Sequence, residues 1–232
     1  MSVLDKVKRV AADVARPAAP LVDKDARFPQ EAFNALKEEK LLSAAIPREF
    51  GGLGSSLPEV SAMCTELGRA CASTATVFAM HQIQVACIAR HGANVPFFAD
   101  YLRQAAEHQW LVASGTSEVG VGGDMRSSVA SLQAGGDRIR LEKNCSVLSY
   151  GQSADAILIT ARRTPESPAN DQSLVLIRKD EYQLEQLGGH AGQHMVAVVY
   201  WSARLAVNEE VRVRSPPVTP IVVVVSSDVA FV

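Results

Sequence analysis

The four cysteines of this 232-residue sequence contain no CxxC pair, basic residues do not outnumber acidic ones, and no apolar run is long enough to cross a bilayer. Each absence removes a class of function. Cys64, Cys71, Cys87 and Cys145 lack paired spacing, and three of them fall among apolar residues of predicted helices, so they read as small buried hydrophobes in a reducing compartment. Lys plus Arg number 23 against 25 Asp plus Glu, a formal charge of −2. Such a surface has no basic field to hold a phosphate backbone by counterion release, which excludes nucleic acid as an expected partner. The longest aliphatic run, residues 221–225, falls far short of the roughly 20 residues a spanning helix needs. Residues 1–14 mix Asp5, Lys6, Lys8, Arg9 and Asp13 among aliphatics, which suits a short amphipathic helix rather than a signal peptide. The expectation is a cytoplasmic protein with no membrane partner. What is there is ordinary: 47% hydrophobic and 21% charged residues, enough for one sizeable core or two small ones.

From Phe28 to about Gln109 the pattern is helical. Phe33, Leu36 and the Leu41–Leu42 pair recur at helical spacing before Pro47 and Gly51-Gly52-Leu53-Gly54 break it. Ser56-Leu57-Pro58-Glu59 predicts a capping box, followed by a buried stripe of Val60, Met63, Leu67 and Cys71. Between Thr74 and His91, Val77, Phe78, Met80, Ile83, Val85, Ala86 and Ile88 surround most of the circumference, which predicts a largely buried helix ending at a Gly92 cap. After Trp110 the character changes to short extended runs at 111–113, 129–133, 138–141, 156–161, 173–177 and 182–187. Residues 134–137 (Ala-Gly-Gly-Asp) predict a hairpin turn, and 165–171 a polar loop. No internal repeat is present. The fold class is therefore α+β, a helical domain (1–110) followed by a small β-sandwich or barrel-like domain (111–189). Residues 190–232 differ in kind, with no lysine and 13 valines in 43 residues. Within them, 221–225 has the character of an edge strand and of an aggregation hazard when unpaired.

Ser114-Gly115-Thr116-Ser117-Glu118-Val119-Gly120-Val121-Gly122-Gly123-Asp124 lies between two predicted strands. Its glycines free the backbone to approach a ligand, and successive N–H groups in such a loop make a nest suited to a pyrophosphate. No Gly-Lys-Ser/Thr follows, so it is not a P-loop. Taken alone, a Gly-rich turn between strands is more often only a turn.

This segment resembles the middle-domain signature of the acyl-CoA dehydrogenases, Thr-Glu-Pro-Gly-Ala-Gly-Ser-Asp, with Ser117, Glu118, Gly120, Gly122 and Asp124 aligned to it. Phe28 to Leu53, with Ala45-Ile46-Pro47-Arg48-Glu49-Phe50-Gly51-Gly52-Leu53-Gly54, is similar to the family's first helical hairpin and loop. Residues 141–161 are similar to its second flavin segment, Val147-Leu148-Ser149 standing where Trp-Ile-Thr lies against the isoalloxazine. The resemblance runs from about Ala15 to Gly189 in order and spacing. It implies FAD bound by Thr116, Ser117, Gly122, Gly123 and Ser149, with the Thr116 and Ser117 hydroxyls reaching flavin heteroatoms. It implies an acyl-CoA or similar small-molecule substrate and a homo-oligomeric assembly.

Three departures fall inside the matched region: Val119 replaces a proline, Gly123 a serine, and Val147 stands where an aromatic is usual. After Gly188-Gly189 the family's Gly-Met-Arg-Gly gives way to His190-Ala191-Gly192-Gln193-His194-Met195, as a frame disruption would produce. The family's catalytic glutamate belongs to a C-terminal bundle for which this sequence has no counterpart, so no catalytic residue is assigned. Glu209 and Glu210 have nothing to place them beside a thioester. His81 reads as a satisfied core histidine, Gly192 argues against a metal-binding helix through His190 and His194, and Trp201 reads as packing. No metal is expected. In the family's reaction a carboxylate removes the α-proton of an acyl thioester while the β-hydrogen leaves as hydride to flavin. The resemblance thus implies a truncated FAD-dependent oxidoreductase. The alternatives are a flavin monooxygenase of the same fold and a non-catalytic remnant that aggregates or associates with a complete paralogue.

Overall fold

The computed structural model describes residues 1–135, 138–145, 147–186, 221–225 and 230–231. These fall into two compact units, Met1–Leu111 and a second that begins at Val112.

The first unit is helical. α1 (Val3–Val10) starts at a capping box in which the Asp5 N–H donates to the Ser2 hydroxyl and Asp5 accepts from the Ser2 N–H. It runs without a break through a π-helical turn (Ala11–Ala15) into α2 (Arg16–Lys24). Pro17 and Pro20 have no N–H to donate and would end a regular helix. Here the Arg16 N–H reaches back to the Ala11 carbonyl, and the wider turn carries the chain past the first proline. The helical path therefore extends well beyond the short amphipathic segment expected from residues 1–14.

α3 (Gln30–Glu38) buries Phe33 and Leu36, and two short 3₁₀ turns, Leu41–Ser43 and Arg48–Phe50, carry the chain to α4 (Leu57–Gly68). Gly52 is required just after the second turn, because a β-carbon there would lie 2.1 Å from the Ile46 carbonyl oxygen. The predicted capping box of α4 is present, Ser56 N–H and hydroxyl both donating to Glu59 at 2.7 Å, and the stripe Val60, Met63, Leu67 and Cys71 is buried. α5 (Ala72–His91) packs against α4 and α6 (Pro96–His108).

α5 is not buried all round. Ile83 is 63% exposed, whereas His81, Gln82 and Gln84 face inward. The reason is the 3₁₀ segment beside it, whose backbone groups need partners. Gln82 accepts from the Ala45 N–H at 2.9 Å and donates to the Leu41 and Leu42 carbonyls, and His81 Nε2 donates to the Leu42 carbonyl at 2.8 Å. Just past α6, Gln109 accepts from the Leu42 N–H. At the end of α5, Gly92 has φ −107°, so it is no left-handed cap; it is glycine because a β-carbon would press on the Phe98 ring at 2.9 Å.

The second unit is built on two four-stranded sheets. In one, β1 (Val112–Gly115) pairs in parallel with β4 (Ala156–Arg162), β4 with β5 (Gln172–Arg178), and β5 with β8 (Ala230–Phe231). Ile157, Leu158 and Ile159 in succession are fully buried, so both faces of β4 are covered. The other sheet has the order β2 (Leu132–Gly135), β3 (Arg138–Cys145), β7 (Ile221–Val225), β6 (Tyr182–Gln186), with every pair antiparallel. β7 sits between β3 and β6, which corrects its expected place at an edge: both sides of its backbone find ladder partners. Gly135 pairs with Arg138, as a hairpin requires, while turn residues 136–137 lie outside the described residues. No described helix is long and apolar enough to cross a membrane.

Candidate functional site

The glycine-rich segment leaves the sheet at the end of β1. Gly115 lets β1 lie close to β4, since a β-carbon there would meet the Ile159 side chain at 2.8 Å. Thr116 is half-buried, Ser117 exposed and Glu118 buried, and beyond them the chain makes an excursion over residues 119–127 before returning to β2. Gly120, Gly122 and Gly123 take φ of +99°, +60° and +88°, the left-handed region that side chains resist. A β-carbon at Gly122 or Gly123 would meet nothing within 4 Å, so glycine serves backbone shape there and not space.

Within the excursion, Asp124 accepts from the Ser127 hydroxyl at 2.6 Å and the Arg126 N–H at 3.0 Å, which holds its carboxyl below the usual carboxylate range. The excursion and its neck enclose a hollow of about 190 Å³, lined by Thr116, Ser117, Glu118, Val121, Gly123, Asp124 and Met125. Three of the five expected flavin contacts, Thr116, Ser117 and Gly123, are brought together, and Gly122 adjoins them in the chain. Ser149 is 5% exposed in the turn after β3 and is not among the lining residues. Val147 is half-buried, and Leu148 and Tyr150 are buried, the Tyr150 hydroxyl donating to the Val112 carbonyl at 3.0 Å.

The neck contains a group that sequence reasoning missed. Lys143, on β3, is fully buried and lies 3.2 Å from Glu118 Oε2. Its signal was present, for Lys143 falls in phase with the inward Leu141 and Cys145 at strand spacing. Burial lowers the pKa of its ammonium, with Glu118 opposing the shift.

A second concavity, about 720 Å³, belongs to the helical unit and was also missed. It is an apolar groove along α4 and α5, with Val60 and Cys64 on one side, Ile83, Ala86 and Cys87 on the other, and Arg90 and His91 also lining it. The apolar or small residues Ile83, Ala86 and Cys87 recur at helical spacing, with Arg90 following in phase, and mark this face. His81 is the buried, hydrogen-bonded core histidine expected of it. Glu209, Glu210, His190, His194 and Trp201 lie outside the described residues. No cluster of three or more His, Cys, Asp or Glu suited to a metal occurs among the described residues.

Thr116, Ser117 and the left-handed glycines fit one wall of a flavin site: two hydroxyls at a strand end beside glycines that present no side chain. The chain's residues 2–96 match the family described as the N-terminal domain of acyl-CoA dehydrogenases. Cyclohex-1-ene-1-carbonyl-CoA dehydrogenase from Geobacter metallireducens is 28% identical over 76% of the chain and 46% of its own length. Acryloyl-CoA reductase (NADH) from Anaerotignum propionicum is 25% identical over 88% of the chain and 53% of its own. The chain thus spans about half the length of the curated relatives it matches. Among solved structures, the dibenzothiophene monooxygenase TdsC from Paenibacillus sp. A11-2, solved with FMN bound, superposes with a TM-score of 0.68 at 20% identity, over 83% of this chain and 48% of that one.

Proposed function

The chain belongs to the acyl-CoA dehydrogenase family, and from that premise we propose that it carries the FAD-cradling part of an oxidoreductase that desaturates an acyl-CoA at the α,β position. The observation that carries the reading is the hollow at the end of β1, where Thr116, Ser117 and Gly123 converge beside left-handed Gly122. In this proposal residues 1–110 form the helical domain, 111–189 the flavin-binding domain, and 190–232 a divergent segment.

A bound flavin supplies the two-electron acceptor for hydride. The Thr116 and Ser117 hydroxyls orient its ring by hydrogen bonds, and the loop of Gly122 and Gly123 lets backbone approach it. Ser149 joins the cofactor contacts in the proposal on family resemblance alone. The groove of the helical unit has the apolar lining to take an acyl chain. Neither carboxylate lining the hollow suits a general base. Glu118 is consumed by the hydrogen bonds of the loop neck, and Asp124 is held below the usual carboxylate range by Ser127 and Arg126. The base therefore comes from outside these two positions. A second reading, a flavin monooxygenase, is favoured by the likeness of fold to TdsC and by the loss of the family serine at Gly123.

The test is a visible absorbance spectrum after FAD or FMN is added to the purified chain and free flavin is removed by gel filtration. Retained flavin supports the cofactor reading, and anaerobic bleaching by an acyl-CoA supports desaturation over monooxygenation. A colourless protein with either flavin overturns the reading.

A further inference from the structure

Glu118 closes the neck of the ligand loop. Its carboxylate accepts from the Ser128 hydroxyl at 2.8 Å, the Val129 N–H at 3.1 Å and the Ala130 N–H at 2.5 Å, which clamps the two ends of the 119–127 excursion together. Lys143 holds that clamp to the sheets. Its three ammonium protons are directed at Glu118 Oε2 at 3.2 Å, the Thr160 carbonyl at 2.8 Å and the Thr160 hydroxyl at 2.9 Å, so nothing on the cation is left over. The Val119 N–H adds a bond to the Asn144 carbonyl at 2.9 Å. One charge comes from the loop and the other from β3, with the anchor on β4; the pair ties the loop to both sheets.

Such a pair is a costly way to gain stability, because desolvating two charges consumes most of their attraction. Its benefit is uniqueness of geometry: a carboxylate with directed donors and an ammonium with three directed acceptors fit one arrangement. We propose that Glu118 and Lys143 are positioning residues that fix the conformation of the 119–127 loop, so that the left-handed glycines and the Thr116 and Ser117 hydroxyls are held ready for their ligand. That the ligand is a flavin rests on the function proposed above; that the loop is shaped by the pair does not.

Removing either charge alone strands the other in the interior and risks the fold, so the primary probe is Ser128→Ala, which deletes one donor to Glu118 and leaves both charges. Val175→Ala, a cavity in the core strand β5 that removes no hydrogen-bond partner of Glu118 or Lys143, is the control for general destabilisation. Two readouts are taken well below the melting temperature: amide hydrogen exchange of the peptide covering 119–127 in the flavin-free chain, and the Kd for FAD. We expect exchange of that peptide to quicken and the FAD Kd to rise about tenfold in Ser128→Ala, the scale of one hydrogen bond to a charged acceptor. Val175→Ala should change neither readout, and Ser128→Thr, which keeps the hydroxyl, should restore both. Unchanged exchange in Ser128→Ala, or an equal change in the control, overturns the positioning role. Quickened exchange in a chain whose wild type retains no flavin upholds the role and overturns the flavin reading instead.

Discussion

At the scale of single residues, the buried polar groups are explained by neighbouring backbone. Gln82 serves the Ala45 N–H and the Leu41 and Leu42 carbonyls; Gln82→Leu leaves the Ala45 N–H without its partner, while the carbonyls keep the Ala44 N–H and His81 Nε2. It should cost about 1–3 kcal/mol, read from urea denaturation. A loss below about 0.5 kcal/mol, the range of neutral surface changes, would show that water replaces the side chain. Cys145 makes a pH-dependent prediction. Burial, with Glu118 adding to it and Lys143 opposing, pushes its thiol from 9.0 up to about 11. The unfolded thiol ionises first, so the unfolded state binds fewer protons between these values and stability falls as pH rises through them. The fall should total about 2–3 kcal/mol and shrink in Cys145→Ala; an alkaline profile that the substitution leaves unaltered would contradict the assignment.

At the scale of elements, legibility followed whether the deciding partner was near in sequence. The α4 cap and its buried stripe were legible because Ser56, Glu59 and the four stripe residues interact locally or repeat at one period. The faces of α5 were not, because the orientation of Gln82 and Ile83 is decided by a 3₁₀ segment some forty residues earlier. The same holds for β7, whose interior place depends on β3 and β6 and not on its own valines. The loop after β1 was legible as a contiguous motif, whereas its Lys143 anchor, in phase with Leu141 and Cys145, finds its partner Glu118 on a distant segment. The α5 assignment is testable by a pair of substitutions. Phe78→Ala, on the fully buried face, should cost about 3–5 kcal/mol, whereas Ile83→Ser on the groove face should stay within about 0.5 kcal/mol. Equal losses would mean that the helix is buried on both sides after all.

At the scale of the whole molecule, the change from helical to strand periodicity after Trp110 made the α+β class legible, while the groove escaped notice because two helices and a loop must meet to form it. The groove also carries its own reporters. Cys64 and Cys87 line it and are half-buried, whereas Cys71 and Cys145 are buried elsewhere, at 6% and 0% exposure. Burial raises the Cys64 thiol, so it should alkylate slowly at neutral pH; Cys71 and Cys145 should resist altogether. If the groove takes the acyl chain, a long-chain acyl-CoA should slow maleimide labelling of both Cys64 and Cys87, measured by peptide mass, and free CoA should not. Protection by both ligands alike would place the binding energy on the nucleotide and away from the groove. Protection by neither would remove the groove from the substrate site and leave the hollow at the end of β1 as the only described concavity still assigned a ligand.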